Sequence, residues 1–320
     1  MPRISLKIDV DTDRGTAVGA RRLAGSLERL GVPATFLFSL GPDHTGRAIR
    51  RVFRRGFVGK VRRTSVLKHY GARTLMYGTL LPGPHIGRRQ ADVMRAIARN
   101  GFEVGVHSWD HVKWQDGVTR NDREWARGEM QKAVECFRDI FGRAPAVHGA
   151  AGWQLSAEVP GLEAELGFRY ASDARGTGPF LPVVGKRAIP VLQLPTTLPT
   201  LDELLGREDI VDGPLSHLLS LTADGTRDHV FTLHAELEGQ EFLDPFLQLL
   251  AGWKAQGYSL GDLASYYSDV VARPVPLHRI ARGTVAGRTG LLAVQGEAVE
   301  HMDDRPGTIG NGQVPVETHA

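Results

Sequence analysis

Two carboxylates share one face of the first predicted β-strand. In the segment LKIDVDT, residues 6–12, the polar residues Lys7, Asp9 and Asp11 alternate with apolar ones and so point to the same side of an extended chain. Residues two apart on a strand lie about 6.6 Å apart along it, and two carboxylates held that close repel unless a proton or a cation lies between them. A cation needs further ligands, which the rest of the chain has to supply.

Three histidines lie at or just after the ends of two other predicted strands. His107 ends FEVGVHS, His111 follows it in HSWDH, and His234 ends DHVFTLH. One carboxylate and two neutral imidazoles leave coordination positions for water, as catalytic divalent metal sites require. Each group alone also fits a structural role, the histidines on a surface or in a core and the aspartates in a turn or a helix N-cap. Their shared position at strand ends favours a metal site, in which Asp9 or Asp11 is a ligand and the other is left to act as a base.

Short apolar runs alternate with helical patterns along the chain, and these elements must position the polar groups. The pattern predicts strands at residues 6–11, 32–40, 102–108, 145–153, 167–173, 191–197 and 228–235. It predicts helices at residues 16–30, 89–101 and 122–141, and segments 245–257 and 260–271 close the regular part. Strands that alternate with helices indicate an α/β fold with a parallel sheet, either open or closed into a barrel. In both architectures functional residues collect at the carboxyl ends of the strands.

The composition is that of an ordinary globular protein. The chain has 320 residues, of which 42% are hydrophobic and 23% are charged, enough for one large α/β domain or two smaller ones. The single cysteine, Cys136, excludes an internal disulfide framework and fits a reducing compartment. The chain shows neither an apolar run of signal-peptide length nor the roughly 20 apolar residues of a membrane span. We therefore expect a cytoplasmic protein.

A long basic segment interrupts the alternation of strands and helices. Residues 44–91 contain no acidic residue but many arginines and lysines, although the net charge of the chain is only +3. Phenylalanines and valines are interleaved with these cations, a pattern typical of a helix that lies on an anionic membrane. The alternatives are an amphipathic helix packed on the domain and a nucleic-acid patch, but no nucleic-acid-binding motif accompanies the charge. Gly56 and Gly59 argue against one unbroken helix. The residues predicted to meet the membrane are Arg50, Arg51, Phe53, Arg54, Arg55, Phe57, Arg62 and Arg63.

Several motifs together resemble the polysaccharide deacetylase, or NodB-homology, family. IDVDT resembles the first motif of that family, HSWDH the second and FTLHAE the last. Further segments resemble the branch that deformylates 4-deoxy-4-formamido-L-arabinose on undecaprenyl phosphate: IDVDTDRGT, FLFSLGPDHTGR, PGPHIGRR, EVGVHSWDH, AAGW, YASDARG, LPTTLPT, TLHAELEG and RIARGTVAGRTG. This resemblance extends over residues 4–296.

The resemblance implies a fold and a reaction. The fold is a (β/α) barrel, usually of seven strands. Residues 1–297 are the implied catalytic domain, with the basic insert at about 44–90 and a disordered tail at 298–320. The implied reaction hydrolyses a linear amide bond, removing the N-formyl group to yield formate and a free 4-amino sugar.

The family roles transfer to this chain residue by residue. Asp9 is the implied general base, and His234 is the implied general acid. The implied ligands of one divalent ion, zinc or else cobalt or manganese, are Asp11, His107 and His111.

The resemblance also implies where the reaction takes place. A sugar on undecaprenyl phosphate serves lipid A modification and resistance to cationic peptides such as polymyxin, so the enzyme would work peripherally on the inner face of the inner membrane. One alternative is a soluble N-deacetylase of chitin-like or peptidoglycan-like chains. Another is a non-catalytic sugar-binding module that has kept the barrel, although the intact set of aspartates and histidines argues against it.

Two positions depart from the pattern of the broad family. Its third motif usually contains an arginine and prolines, where GAAGWQ occupies residues 149–154, and a proline often follows the second metal histidine, where Val112 stands. Both departures fit the deformylase branch, but they leave open which residue orients Asp9. Arg175, in SDARG, is the candidate, and an ion pair between Arg175 and Asp173 is the alternative interpretation.

Overall fold

A curved parallel sheet forms the centre of the protein, and a smaller sheet lies beside it. This computed structural model describes residues 1–47 and 73–300. The strands are β1 (Arg3–Val10), β2 (Thr35–Ser39), β3 (Glu103–Ser108), β4 (Val147–His148), β5 (Tyr170–Ala171), β6 (Leu181–Val184), β7 (Arg187–Ala188), β8 (Leu192–Gln193), β9 (His229–His234), β10 (Ser259–Gly261), β11 (Leu277–Gly283) and β12 (Leu292–Ala298).

Helices connect most strands of the parallel sheet. They are α1 (Arg21–Arg29), α2 (Ile86–Arg89), α3 (Ala91–Arg99), α4 (His111–Gly117), α5 (Arg123–Phe141), α6 (Val159–Leu166), α7 (Leu201–Leu204), α8 (Gly213–Leu221), α9 (Leu243–Ala255) and α10 (Leu263–Val271). A π-helical turn, Gly15–Ala20, precedes α1, and short 3₁₀ turns span Thr74–Met76 and Ala151–Trp153.

The parallel sheet is ordered around β1. Along one edge β1 pairs with β9, and along the other it pairs with β2, from which the sheet continues through β3, β4 and β5 to β8. Because β9 pairs with residues 4–9 along one edge of β1, the other edge is shared by β10, which pairs with residues 3–5, and β2, which pairs with residues 7–10. No strand pairing joins β8 to β9 in the described residues, but the Thr197 amide donates to the Val230 carbonyl at 3.1 Å across that gap. The predicted (β/α) barrel of about seven strands is confirmed, with β10 as a short additional strand.

The alternating pattern of β1 separates the apolar core from the polar site. One face packs against buried side chains of α1 and α9, and its fully buried residues are Ile4, Leu6, Ile8 and Val10. The other face carries Lys7 and Asp9, which are buried as well. A strand that is buried on both faces usually has apolar residues on both. The buried polar face of β1 therefore indicates a functional surface.

The sequence pattern does not predict the smaller sheet. Its four strands lie in the order β7, β6, β11 and β12. Since β11 and β12 follow residue 271, the expectation that the regular part closes there is wrong. The alternation that would reveal β11 is weak because Arg279 and Arg282 are exposed on it. Backbone hydrogen bonds connect β12 to the barrel, from the Arg175 amide to the Ala293 carbonyl (2.9 Å) and from the Gln295 amide to the Arg175 carbonyl (2.7 Å).

Predicted elements agree with the structure in their middle and differ at their ends. The helix predicted at 122–141 is α5, which Asp122 caps and which ends at Gly142 in the left-handed region with φ 68°. The predicted helix at 16–30 begins as the π-helical turn rather than as an α-helix. Three predicted strands shrink to the two-residue strands β4, β5 and β8, because the chain leaves the sheet early to build the loops of the site.

Two predicted segments lie mainly outside the described residues. The eight membrane-facing candidates are among them, namely Arg50, Arg51, Phe53, Arg54, Arg55, Phe57, Arg62 and Arg63. Residues 301–320 of the predicted tail are outside as well, whereas Ala298, where that tail was expected to begin, still belongs to β12. Among the helices of residues 1–47 and 73–300, none combines the length and apolarity that crossing a bilayer requires.

Candidate active site

The structure brings the three predicted metal ligands together at the carboxyl ends of β1 and β3. Asp11, His107 and His111 each offer a donor atom, and these atoms all lie within 4.8 Å of one another. His107 Nε2 is 3.2 Å from Asp11 Oδ1, and His111 Nε2 is 3.4 Å from Asp11 Oδ2. The strands β1 and β3, which lie on either side of β2, therefore bring residues from positions 11 and 107 to one point.

Hydrogen bonds orient both imidazoles. His107 Nδ1 donates to the Gly149 carbonyl at 2.6 Å, since a carbonyl can only accept. In the neutral ring Nε2 then has no proton, and it faces the ligand group. His111 is the first residue of α4, where the Asp110 side chain caps the helix by accepting from the Lys113 amide at 3.0 Å. The cap holds the start of α4, and with it His111, against the end of β3.

The chemistry of this donor set fits a divalent ion. In the tautomer set by Gly149, His107 Nε2 and Asp11 Oδ1 are two acceptors facing each other at 3.2 Å, an arrangement that a cation between them stabilises. Asp11 Oδ1 is also buried without a hydrogen-bond partner. Burial lowers the pKa of His111, which favours the neutral imidazole that binds metal. One carboxylate and two imidazoles are acceptable to zinc, cobalt and manganese alike.

The cation beside Asp9 is Lys7, and the prediction that Arg175 orients Asp9 needs correction. Lys7 Nζ lies 3.4 Å from Asp9 Oδ2, with both side chains buried. Arg175 instead donates to Glu203 Oε1 at 2.5 Å and to the Leu198 carbonyl at 2.9 Å. Its direction follows from the backbone bonds to β12, which turn this loop toward α7 rather than toward β1.

The alternative interpretation of Arg175, an ion pair with Asp173, is not what the structure shows either. Asp173 lies in a fully buried cluster, where His148 Nδ1 is 3.1 Å from Asp173 and 2.6 Å from Glu163. Burial alone lowers the pKa of His148, but Asp173 and Glu163 outweigh burial and raise it to about 10. Asp173 also accepts from the Ala150 amide at 2.6 Å, so the cluster supports the loop that contains Gly149.

The predicted acid, His234, ends β9 opposite Asp9 in the strand register. Its Nδ1 lies 3.5 Å from Asp202, and the second oxygen of Asp202 lies 3.0 Å from Arg288. Burial by itself lowers the pKa of His234, but the carboxylates of Asp202 and Asp11 outweigh burial and raise it. A raised pKa makes this histidine hold its proton to higher pH than a free imidazole would, which suits an acid.

Sequence reasoning missed several residues that support this arrangement. Glu236 accepts from the amides of Asp11 (3.1 Å) and Thr12 (2.9 Å) and so holds the turn that carries the carboxylate ligand. Burial, reinforced by the charge of Asp11, raises the pKa of Glu236 to about 8. A side chain at position 15 would collide with it, since a Cβ on Gly15 would lie 1.8 Å from Glu236 Oε1. The signal in the sequence was the pair of glutamates two and four residues after His234 in HAELEG.

Trp153 is a second residue that the sequence did not single out. It is the only non-glycine residue with positive φ in the described part of the chain (φ 52°), and it is buried. Three cations face its ring, Lys7 at 5.3 Å, Arg175 at 5.0 Å and Arg288 at 4.9 Å. The tryptophan of the AAGW segment thus contacts both Lys7, the cation beside Asp9, and Arg288, the cation beside Asp202.

Comparison with known proteins identifies similar sequences and similar structures. The pattern of the polysaccharide deacetylase family matches residues 10–171. A curated relative from Shewanella sediminis, described as "Probable 4-deoxy-4-formamido-L-arabinose-phosphoundecaprenol deformylase ArnD", is 32% identical over 93% of this chain and 96% of its own. A protein of the same description from Wigglesworthia glossinidia brevipalpis is 28% identical over 89% of this chain and 100% of its own. A solved structure from Mycobacterium smegmatis, described as a polysaccharide deacetylase, shares the fold with a TM-score of 0.59 at 17% identity, covering 89% of this chain and 96% of that one.

Proposed function

The chain belongs to the polysaccharide deacetylase family of amide hydrolases, and we propose that it removes the N-formyl group from 4-deoxy-4-formamido-L-arabinose linked to undecaprenyl phosphate. The observation that carries the proposal is the convergence of a buried carboxylate, a metal-ligand group and a histidine paired with a carboxylate at one edge of the barrel. The choice of formamido-arabinose as the substrate rests on similarity to the two deformylases, whose sequences match this chain over nearly its whole length.

Each site residue has a separate role in the proposed hydrolysis of the formamide. A divalent ion held by Asp11, His107 and His111 would polarise the formamide carbonyl and lower the pKa of a water molecule. Asp9 accepts a proton from the attacking water as the new C–O bond forms. His234 then donates its proton to the amide nitrogen as the C–N bond breaks, so that formate and the free amine leave together. Zinc is the expected ion, with cobalt and manganese as the alternatives.

The carrier lipid determines where the protein has to work. An undecaprenyl chain stays in the bilayer, so we place the enzyme peripherally at the inner face of the inner membrane, where the product would serve lipid A modification and resistance to cationic peptides. The acid-free basic segment supports this placement, because each arginine or lysine near anionic lipid contributes about 1 kcal/mol of binding free energy. No nucleic-acid partner is proposed.

The decisive experiment offers matched substrates to the protein. We expect release of formate from the formylated amino-arabinose lipid and little acetate from its acetylated counterpart. A matched water-soluble chitin oligomer serves as the control for the alternative function. Acetate released from that oligomer, with no formate from the lipid, would show that the chain is a soluble polysaccharide N-deacetylase.

A second arm of the same experiment tests the membrane placement. Charge reversal at Arg54, Arg55, Arg62 and Arg63 should reduce turnover of the lipid-linked substrate and spare a short-chain analogue. Binding of the unmodified protein to anionic liposomes should weaken as salt rises, since the Debye length is about 8 Å at physiological ionic strength. Equal losses on both substrates would mean that the segment supports the barrel instead of docking it.

A further inference from the structure

Lys7 is a lysine in a place where lysines are rarely found. It lies in the middle of β1 with no solvent exposure, on the same face of the strand as Asp9. An ammonium group taken out of water is strongly destabilising unless it is paired and hydrogen-bonded. The partners of Lys7 therefore indicate why this position carries a cation.

The ammonium group has three partners that hold it in one position. Lys7 Nζ donates to the Ser172 carbonyl at 2.8 Å on the far side of the barrel. It lies 5.3 Å from the ring centre of Trp153 and 3.4 Å from Asp9 Oδ2. The carbonyl and the ring fix the cation from two directions, and the carboxylate supplies the opposite charge.

The loop above Lys7 is shaped to leave room for it. A Cβ on Gly149 would lie 3.1 Å from Lys7 Cε and 2.4 Å from Leu37 Cδ1, so only glycine fits at this position without displacing neighbours. The carbonyl of the same glycine accepts from His107. Gly149 therefore has two roles: its carbonyl accepts the hydrogen bond that orients His107, and its lack of a side chain leaves space for Lys7.

We infer that Lys7 is the positioning residue of the base: it holds Asp9 Oδ2 and leaves Oδ1 as the oxygen that takes the proton. Asp9 Oδ1 is buried and has no hydrogen-bond partner, and it lies 3.7 Å from Nδ1 of His107, one of the three proposed metal ligands. The cation that the broad family takes from its third motif is here supplied by the first strand. This inference rests on the proposed function, because it assigns a partner to the proposed base.

The test is a double-mutant cycle between Lys7 and Asp9. Lys7→Met keeps the aliphatic stem and removes the charge, and we expect kcat on the formylated lipid to fall about 10- to 100-fold while KM and metal content stay nearly unchanged. In an Asp9→Asn background the same substitution should cost less than about threefold, because the carboxylate that it positions is gone. Lys132→Met, the same change at a half-exposed lysine paired with Glu129, is the matched control and should leave kcat unchanged.

The outcomes separate this inference from the proposed function. Equal losses in both backgrounds, or loss of metal from Lys7→Met, would show that Lys7 only stabilises the fold, and unchanged kcat would remove it from the reaction. If Lys7→Met does not fold, Lys7→Arg decides, since a retained cation should keep kcat within about tenfold of the parent. A folded, metal-loaded Lys7→Arg as inactive as Asp9→Asn would overturn the inference. Full turnover by Asp9→Asn would instead overturn the proposed role of the base itself.

Discussion

The two sides of the site, the proposed base side and the proposed acid side, are built from different parts of the molecule. On the base side, Asp9 comes from β1 and His107 from β3 of the hydrogen-bonded parallel sheet, and Asp11 follows directly after β1. On the acid side, His234 also ends a barrel strand, but its partner Asp202 belongs to α7. Arg288, which holds Asp202, comes from the connection between β11 and β12 of the smaller sheet.

Burial differs between the two sides in the same way. The Asp9 side chain is 3% exposed, whereas the side chains of Asp202 and Arg288 are 38% and 24% exposed. Charges in the barrel interior interact strongly and tolerate no unpaired partner, while partly exposed ion pairs are screened by water. We therefore expect every substitution that removes a buried charge or metal ligand on the base side to reduce turnover at least about tenfold, and those on the acid side to range from a large loss at His234 to a slight one at Arg288.

The largest effect should follow from removing the metal ligands. His107→Ala combined with His111→Ala leaves one carboxylate, which is too few donors to hold a divalent ion, so metal content and turnover should both be lost. Asp9→Asn is the matched variant on the same side, and it should keep its metal while turnover falls by about 10² to 10⁴. Elemental analysis beside a formate assay checks both. Full metal occupancy in the double variant, or loss of metal from Asp9→Asn, would show that the ligand and base assignments are wrong.

Effects on the acid side should be graded, and smaller than the complete loss expected when the metal ligands are removed. His234→Ala should lower kcat by about 10² to 10⁴ with the metal retained, because the leaving amine loses its proton donor. Arg288→Met should cost only about twofold to fivefold, since a partly exposed ion pair contributes about 0 to 1 kcal/mol. Arg282→Met, an exposed arginine on β11, serves as the control without effect. A loss at Arg288 as large as that at His234 would mean that the acid side is as tightly coupled as the base side.

The last prediction concerns stability at alkaline pH, with little effect on turnover. It depends on the buried cluster of His148, Glu163 and Asp173, which supports the loop that contains Gly149. The fold raises the pKa of His148 from its usual 6.5 to about 10, and burial with the charge of Asp173 raises that of Glu163 as well. Both groups keep protons that the unfolded chain releases, so this stability is fully present below the usual pKa values and is lost as pH rises. Between pH 6.5 and about 10 the unfolding temperature should fall by roughly 5 °C more in the parent protein than in His148→Asn. Thermal unfolding followed across that window checks this, and parallel curves for the two proteins would contradict it.

Local patterns in the sequence determined the elements that carry the reacting groups. The alternation in LKIDVDT puts Lys7 and Asp9 on one face of β1, because side chains on a strand alternate with period two, and Asp11 follows directly after the last residue of the strand. The histidines of HSWDH come together because a strand ends at Ser108 and a helix begins at His111. Strand ends in a parallel sheet share one edge, so the convergence of these groups with His234 was predictable as well.

Tertiary structure alone decided how the reacting groups are paired. Lys7 looks like a surface lysine in the sequence, and only the barrel brings it to the Ser172 carbonyl, 165 residues away. Arg175 follows Asp173 by two positions, yet backbone bonds to β12 direct it toward Glu203. The partners of His234 come from a short helix and from a sheet whose exposed arginines hide its alternation. Periodicity reports which face of an element is buried, but charge pairing depends on which distant elements that face meets, and a single sequence carries no direct record of those contacts.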